Sequence, residues 1–258
     1  MPRKKELLER KLKTFFVGRE SELSLFQGML ECTADFSLLF IWGMGGIGKS
    51  TLLKEFKRIC VDRGTPVALI DGALSKSVGE ILRSISEQLK SGVPSINCRN
   101  FAAELQRYLQ IHTKLHQESG ASEIIFKLLA KGLAVGSEVI PYGHLAFNLI
   151  GEQNIEIILN TLYRLFTKPE VDFYLNPERS MTEALIEDLN EYGARDNIVI
   201  MFDMYEAMEN YDNWVREDLF PNLEEKIIII IAGRNPPLRE MVSMVTPYEN
   251  CRITPFYL

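Results

Sequence analysis

The sequence predicts an α/β fold of three layers: a central parallel sheet, helices on both faces, and a helical insertion. Three observations carry this. The apolar runs Leu38–Trp42, Ile198–Phe202 and Ile227–Ile231 lack polar alternation, as strands buried on both faces do. Between them lie stretches with apolar residues at helical spacing. The first run also leads directly into a glycine-rich turn and then another helical stretch. The 258 residues can bury a sizeable core, and 46% hydrophobic with 25% charged residues marks a soluble globular chain.

Residues 2–13 are basic and helical in character, with Leu7, Leu8 and Leu12 on one side. Glu6 and Glu9 interrupt the positive face, so a solvated lead-in helix over 1–13 fits better than a membrane-surface helix. One domain is expected from 14 to 258. Glu20 and Glu22 suit the first turn of a helix running through Leu30, because carboxylates favour the positive end of the helix dipole. The Leu38–Trp42 strand follows, then the glycine turn, then helical spacing from Thr51 to Ile59. Pro66–Ile70 is a second buried strand, and Asp71 after it suits a turn or cap.

Val78–Leu89 carries Ile81, Leu82, Ile85 and Leu89 on one stripe. Phe101–Leu115 repeats the pattern with Leu105, Tyr108, Leu109 and Leu115. His112 and His116 lie one turn apart there without a third ligand, so they are expected as exposed polar positions rather than a metal pair. Residues 122–166 are apolar and helix-like, but Lys127, Lys131, Glu138 and His144 argue against a membrane span. The distance from the second strand to Ile198 exceeds what one crossover needs, which implies a helical insertion over about 100–170. Lys168-Pro169 and Asn176-Pro177 are expected to mark turns. Ser180-Met181-Thr182-Glu183 reads as a capping box ahead of a helix through Tyr192. Trp214–Leu223 reads as a short helix, the five isoleucines 227–231 as a mid-sheet strand, and Cys251–Phe256 as a last short strand.

Net charge is −6 and the pI near 5.3, so bulk electrostatics do not recruit nucleic acid. Cys32, Cys60, Cys98 and Cys251 sit far apart with no metal spacing, which argues against zinc and for a reducing compartment. No apolar run reaches transmembrane length, and the N-terminus lacks an apolar signal core. A cytoplasmic location is the expectation.

The glycine turn fills the pattern G-x-x-x-x-G-K-[ST] with Gly43, Gly48, Lys49 and Ser50. Strand, glycine loop and helix start together make this pattern a phosphate site. Glycines let successive N–H groups of Gly43, Met44, Gly45, Gly46, Ile47 and Gly48 curl toward one anion. The following helix adds its free N–H groups and dipole. Lys49 is expected to reach the β- and γ-phosphates, Ser50 to hold Mg²⁺, and Thr51 to serve the α-phosphate side. Upstream, a turn at Val17-Gly18 is expected to touch the base while Arg19 faces phosphate or ribose.

Asp203 ends the Ile198–Phe202 run, where it would orient Mg²⁺ from behind a water, opposite Ser50. Met204 follows it, so the water-polarising acid is expected at Glu206, with Glu209 next. Arg234 emerges after the isoleucine strand at the same sheet edge, where a guanidinium can read the γ-phosphate.

Taken together, Val17-Gly18-Arg19-Glu20, the Gly43–Thr51 loop, Phe202-Asp203-Met204-Tyr205-Glu206 and Ala232-Gly233-Arg234 resemble the STAND signal-transduction ATPases. These are P-loop NTPases related to AAA+ proteins, and they include the NB-ARC switches. The resemblance implies that the arginine-bearing strand lies between the loop strand and the Asp203 strand. It also implies a slow ATPase whose ATP or ADP state, with Mg²⁺, controls conformation and self-association. The chain departs at Met204, where that family usually has a second acid, and in its insertion. It also stops where a lid and winged-helix domain would begin. From this, a monomer that exchanges nucleotide readily is expected. The alternatives are an AAA+ ATPase acting on DNA or on protein remodelling, which the acidic balance disfavours, and a non-hydrolysing nucleotide-binding scaffold.

Overall fold

A computed structural model describes residues 19–32, 37–75, 77–117, 160, 162–235 and 255–257. The expected lead-in helix, Val17-Gly18, His116's side chain, Cys251 and most of the stretch between 118 and 161 lie outside that set. Among the described residues, five strands form one parallel sheet: β1 (Leu38–Trp42), β2 (Val67–Asp71), β3 (Ile198–Asp203), β4 (Ile227–Gly233) and β5 (Pro255–Tyr257). Their spatial order is β2-β3-β4-β1-β5. β4 therefore lies between the loop strand and the Asp203 strand, as the resemblance implied.

The sheet's two faces explain the isoleucine run. Side chains alternate across a strand. Ile227, Ile229 and Ile231 enter one core with Leu38 and Phe40, while Ile228 and Ile230 enter the other with Leu39 and Ile41. Both faces are covered, so no position can be polar. Each such buried side chain contributes about 1.5–3 kcal/mol. One face is covered by α1 (Glu20–Leu30) and α2 (Lys49–Arg63), where Phe26 stacks on Phe56 at 4.2 Å. The other carries α3 (Val78–Ser91), α4 (Arg99–Gln117), α5 (Lys168–Leu175) and α6 (Pro177–Gly193).

Two polar side chains fasten this second layer, the half-buried Gln88 and the buried Asp188. The amide of Gln88 on α3 accepts from Leu69 N–H at 3.0 Å and donates to Leu69 C=O at 2.9 Å. β2 is an edge strand, and Gln88 occupies edge groups that would otherwise invite another strand. Asp188 on α6 accepts from the N–H groups of Asn100 and Phe101 at 3.1 and 2.9 Å. It thereby caps the start of α4 from a neighbouring helix, satisfying donors that a helix N-terminus leaves open. Phe101, Tyr108 and Leu115 of α4 lie in the same core as the sheet.

The structure corrects several local expectations. Lys168-Pro169 and Asn176-Pro177 do not mark turns; each proline stands in the first turn of a helix, α5 and α6. Proline lacks the N–H that a first turn leaves unpaired anyway, so it favours that position. Ser180–Glu183 is interior to α6, and the carboxylate of Glu170 instead folds back to accept from Thr167 N–H at 2.8 Å. His112 is half-buried, not exposed, and its Nδ1 pairs with the Tyr174 hydroxyl at 3.0 Å. Trp214–Leu223 is a π-helical turn, Trp214–Leu219, followed by a 3₁₀ turn, Phe220–Asn222. Asp71 takes the expected turn role, accepting from Ala73 N–H at 3.0 Å.

Gly72 is where β2 meets the tip of β3. Its N–H donates to Asp203 C=O at 2.8 Å. A Cβ there would stand 2.7 Å from the Met204 carbonyl oxygen and 3.0 Å from that of Asp203. Backbone atoms cannot step aside as a side-chain end can. Gly72→Ala is therefore expected to destabilise the fold by about 1–3 kcal/mol, measured by denaturant unfolding. An unchanged midpoint would show that the strand tips part without cost.

Candidate functional site

The loop after β1 needs glycine for its backbone. Gly43, Gly46 and Gly48 have φ of 154°, 84° and 97°, values that side-chain-bearing residues rarely adopt. Around Gly46 and Gly48 a Cβ would meet nothing within 4 Å, so conformation rather than room demands glycine there. Gly48 leads into α2, whose first-turn N–H groups face the loop end of the helix. Met44, Gly45 and Gly46 are exposed, leaving the loop open to solvent.

Lys49, though charged, is buried at 9% exposure. Its Nζ curls back to donate to Gly43 C=O at 2.7 Å and Met44 C=O at 2.9 Å. Two of its three donors thus tie the loop's first residues to its helix. The third has no protein partner among the described residues. Ser50 is half-buried and Thr51 exposed in the first turn of α2.

Arg19 meets partners that the sequence does not announce. Expected to face phosphate or ribose, its guanidinium donates to Ile47 C=O at 2.9 Å and to Glu22 at 2.8 Å. It braces the loop's backbone against α1. Burial acts to raise the Glu22 carboxyl, but hydrogen bonds from Ser21 and Arg19 outweigh it and hold the group below its ordinary value. Glu22 therefore stays an anion and keeps its hold on Arg19.

The acid side of the site is built from the tips of β3 and β4. Strand register sets Trp42 beside Gly233 and Phe202 beside Ile231, so the loop, Asp203 and Arg234 leave the sheet at one edge. Asp203 Oδ1 accepts from Met204 N–H at 2.9 Å. Met204 has φ 52° and ψ 44°, a left-handed conformation that costs a non-glycine residue roughly 1–2 kcal/mol. This sharp turn sends the following 3₁₀ segment, Tyr205–Tyr211, back across the end of β4. Glu206 lands there. Its carboxylate accepts from Arg234 N–H and from Arg234 Nε, each at 3.0 Å. Glu209, the runner-up acid, is exposed on the same segment.

Behind Glu206, the Tyr205 hydroxyl donates to Asp212 at 2.8 Å, and Arg216 Nε donates to the same carboxylate at 2.7 Å. Burial, then the Asp212 charge, push the Tyr205 phenol well above its ordinary value, so it remains a donor. Arg234 also approaches the loop: its guanidinium lies 4.0 Å from where a Cβ on Gly45 would stand. Among the described residues, no group of three or more His, Cys, Asp and Glu side chains is placed to hold a metal ion by itself. Ser50 and Asp203 are the hydroxyl and the carboxylate with the chemistry to serve Mg²⁺ beside a phosphate.

A glycine loop feeding a helix, beside a central strand and an acid-tipped neighbour, defines a P-loop NTPase fold. Comparison with known families gives the same answer: the AAA ATPase domain profile matches residues 16–218, and the chain belongs to that family. Members of that family generally bind ATP or ADP with Mg²⁺. No curated protein matches the chain. The matched region stops before β4, although β4 is the strand on which β1 and β3 both pair. Among the described residues no helix is long and apolar enough to cross a membrane.

Proposed function

We propose that this chain is the ATP- and ADP-binding core of a STAND-type signalling ATPase, whose nucleotide state sets conformation and self-association. The observation that carries the reading is the double position of Arg234, bonded to Glu206 and close to Gly45 of the loop. One cation stands between the group that would activate water and the loop that would hold phosphate.

The residues then divide the work. N–H groups of Gly43–Gly48 and the start of α2 hold the phosphates, and Thr51 serves the α-phosphate side. Val17-Gly18 is placed by sequence on the base side, with Arg19 keeping the loop in shape. Lys49 turns its remaining donor to the β- and γ-phosphates. Ser50, and Asp203 through water, would hold Mg²⁺, which neutralises charge on the phosphate oxygens. In the described arrangement Glu206 is engaged by Arg234 and does not face water freely. Arg234 drawn toward γ-phosphate oxygens releases Glu206, which can then take the proton of an attacking water. With ADP there is nothing to draw it, and the contact re-forms. Turnover is slow because Glu206 is available only part of the time. A second reading, a scaffold that binds nucleotide without hydrolysing it, follows from the same contact if Arg234 never lets go.

The test is Arg234→Ala in calorimetric titrations with ATP and ADP. A hydrogen bond to a charged group contributes about 1.5–3 kcal/mol, so ATP affinity is expected to fall roughly tenfold or more while ADP affinity holds. Equal losses for both nucleotides would make Arg234 a structural residue. Sedimentation of the ATP-loaded protein then reports whether that state self-associates.

A further inference from the structure

A groove of about 720 Å³ opens between the start of α6 and the π-helical turn. Leu175, Ile186 and Trp214 give it an apolar wall. The Trp214 indole N–H already donates to the Thr182 hydroxyl at 3.0 Å, so the ring offers the groove its apolar body. Among the described residues that line the groove, four carboxylates, Glu178, Glu183, Glu187 and Asp218, stand against one cation, Arg179. Arg179 is itself paired with Glu183 at 2.9 Å.

The wall is held in an uncommon geometry. π-helical turns are rare and gather at functional sites. Within it the buried Arg216 donates to Asp212 and Asn213 at 2.7 and 2.6 Å, and Asp218 is exposed on the groove side.

One stretch of the chain has the opposite chemistry. Residues 2–13 carry Arg3, Lys4, Lys5, Arg10, Lys11 and Lys13 against Glu6 and Glu9, a surplus of positive charge in a chain of net charge −6. Leu7, Leu8 and Leu12 supply an apolar stripe at helical spacing. Recognition of an amphipathic helix in a groove rests on that pairing of apolar anchors and complementary charge. We propose that the groove is the docking site of residues 2–13 of this chain, with the leucine stripe on the Trp214 wall and the basic residues on the carboxylate rim. Nothing in this depends on the nucleotide reading.

Carbodiimide cross-linking of the full chain tests it, because that reagent joins only an amine and a carboxylate already in contact. Peptide mass mapping is expected to find Lys4, Lys5, Lys11 or Lys13 joined to Glu183, Glu187 or Asp218. A product of monomer mass and one of dimer mass both support the proposal, since either chain can supply the segment. Glu183→Lys with Asp218→Lys changes two exposed residues and should leave the melting temperature in place, as surface changes usually do. Because the variant deletes two acceptors outright, the informative links are those to Glu187, whose yield should fall about tenfold, equivalent to about 1.4 kcal/mol. Adding Lys4→Glu and Lys5→Glu should restore contact through links of reversed sense. If the N-terminal lysines instead join carboxylates elsewhere, or charge reversal leaves the yield unchanged, the groove serves another molecule and the proposal falls.

Discussion

Lys49→Ala is expected to abolish the rise in melting temperature that ATP or ADP produces. For the unaltered chain, ligand at a hundred times its dissociation constant adds about 2.7 kcal/mol. At about 2–4 °C per kcal/mol for a domain near this size, the shift is easily read. The structural reason is that Lys49 combines two tasks. Its ammonium is the buried charge of the loop, and its bonds to Gly43 and Met44 hold the loop's curl. Alanine removes the charge and also leaves the Gly43 carbonyl without its donor, at a cost of about 1–3 kcal/mol. The variant will therefore melt lower even alone, so the informative quantity is the difference made by nucleotide. A normal ligand shift in Lys49→Ala would place nucleotide binding away from Gly43–Thr51.

Glu206→Gln should have the largest effect on rate. General-base catalysis by a positioned carboxylate contributes about 10²–10⁴-fold, and the amide cannot take a proton from water. Glutamine keeps an oxygen to accept from Arg234 N–H, so the β3–β4 corner should stay in place and nucleotide affinity should be unchanged. Single-turnover hydrolysis at the original rate would move the base elsewhere, with Glu209 the next to change. An unaltered chain that binds ATP tightly yet never turns over would favour the scaffold reading. The two experiments separate cleanly because one removes a binding charge and the other a proton acceptor.

The sheet was legible in the sequence because its strands are nearly pure apolar runs. Five successive isoleucines have no exposed position, and only a strand covered on both sides tolerates that. The phosphate loop was legible because its requirements are local: three of its four glycines, Gly43, Gly46 and Gly48, answer a backbone angle within nine residues. What escaped was long-range. Arg19 to Ile47 spans 28 positions, as does Arg234 to Glu206. Neither Arg19 nor Glu206 carries a local mark of its partner. The proline misreadings have another cause. A proline after lysine or asparagine satisfies turn and helix entry alike, and only the packing of Val171 or Met181 into the core decides between them. Met204, which looked like a gap in an acidic pair, proves to be the residue at which the chain doubles back.

The sheet order has a consequence for how the chain is made. β1 leaves the ribosome early, but β4, the partner it needs, follows about 190 residues later. At synthesis rates of roughly 5–20 residues per second, Leu38–Trp42 waits on the order of 10–40 s with its hydrogen-bonding edge unmatched. β2 waits about two thirds as long for β3. During that interval the nascent chain displays two apolar strand templates to its surroundings, the condition under which unpaired edges aggregate. Assembly of the sheet is thus gated by the arrival of the isoleucine strand. Slowing translation ahead of residue 227 should increase the share of chains captured by chaperones, whereas slowing it after 233 should matter less.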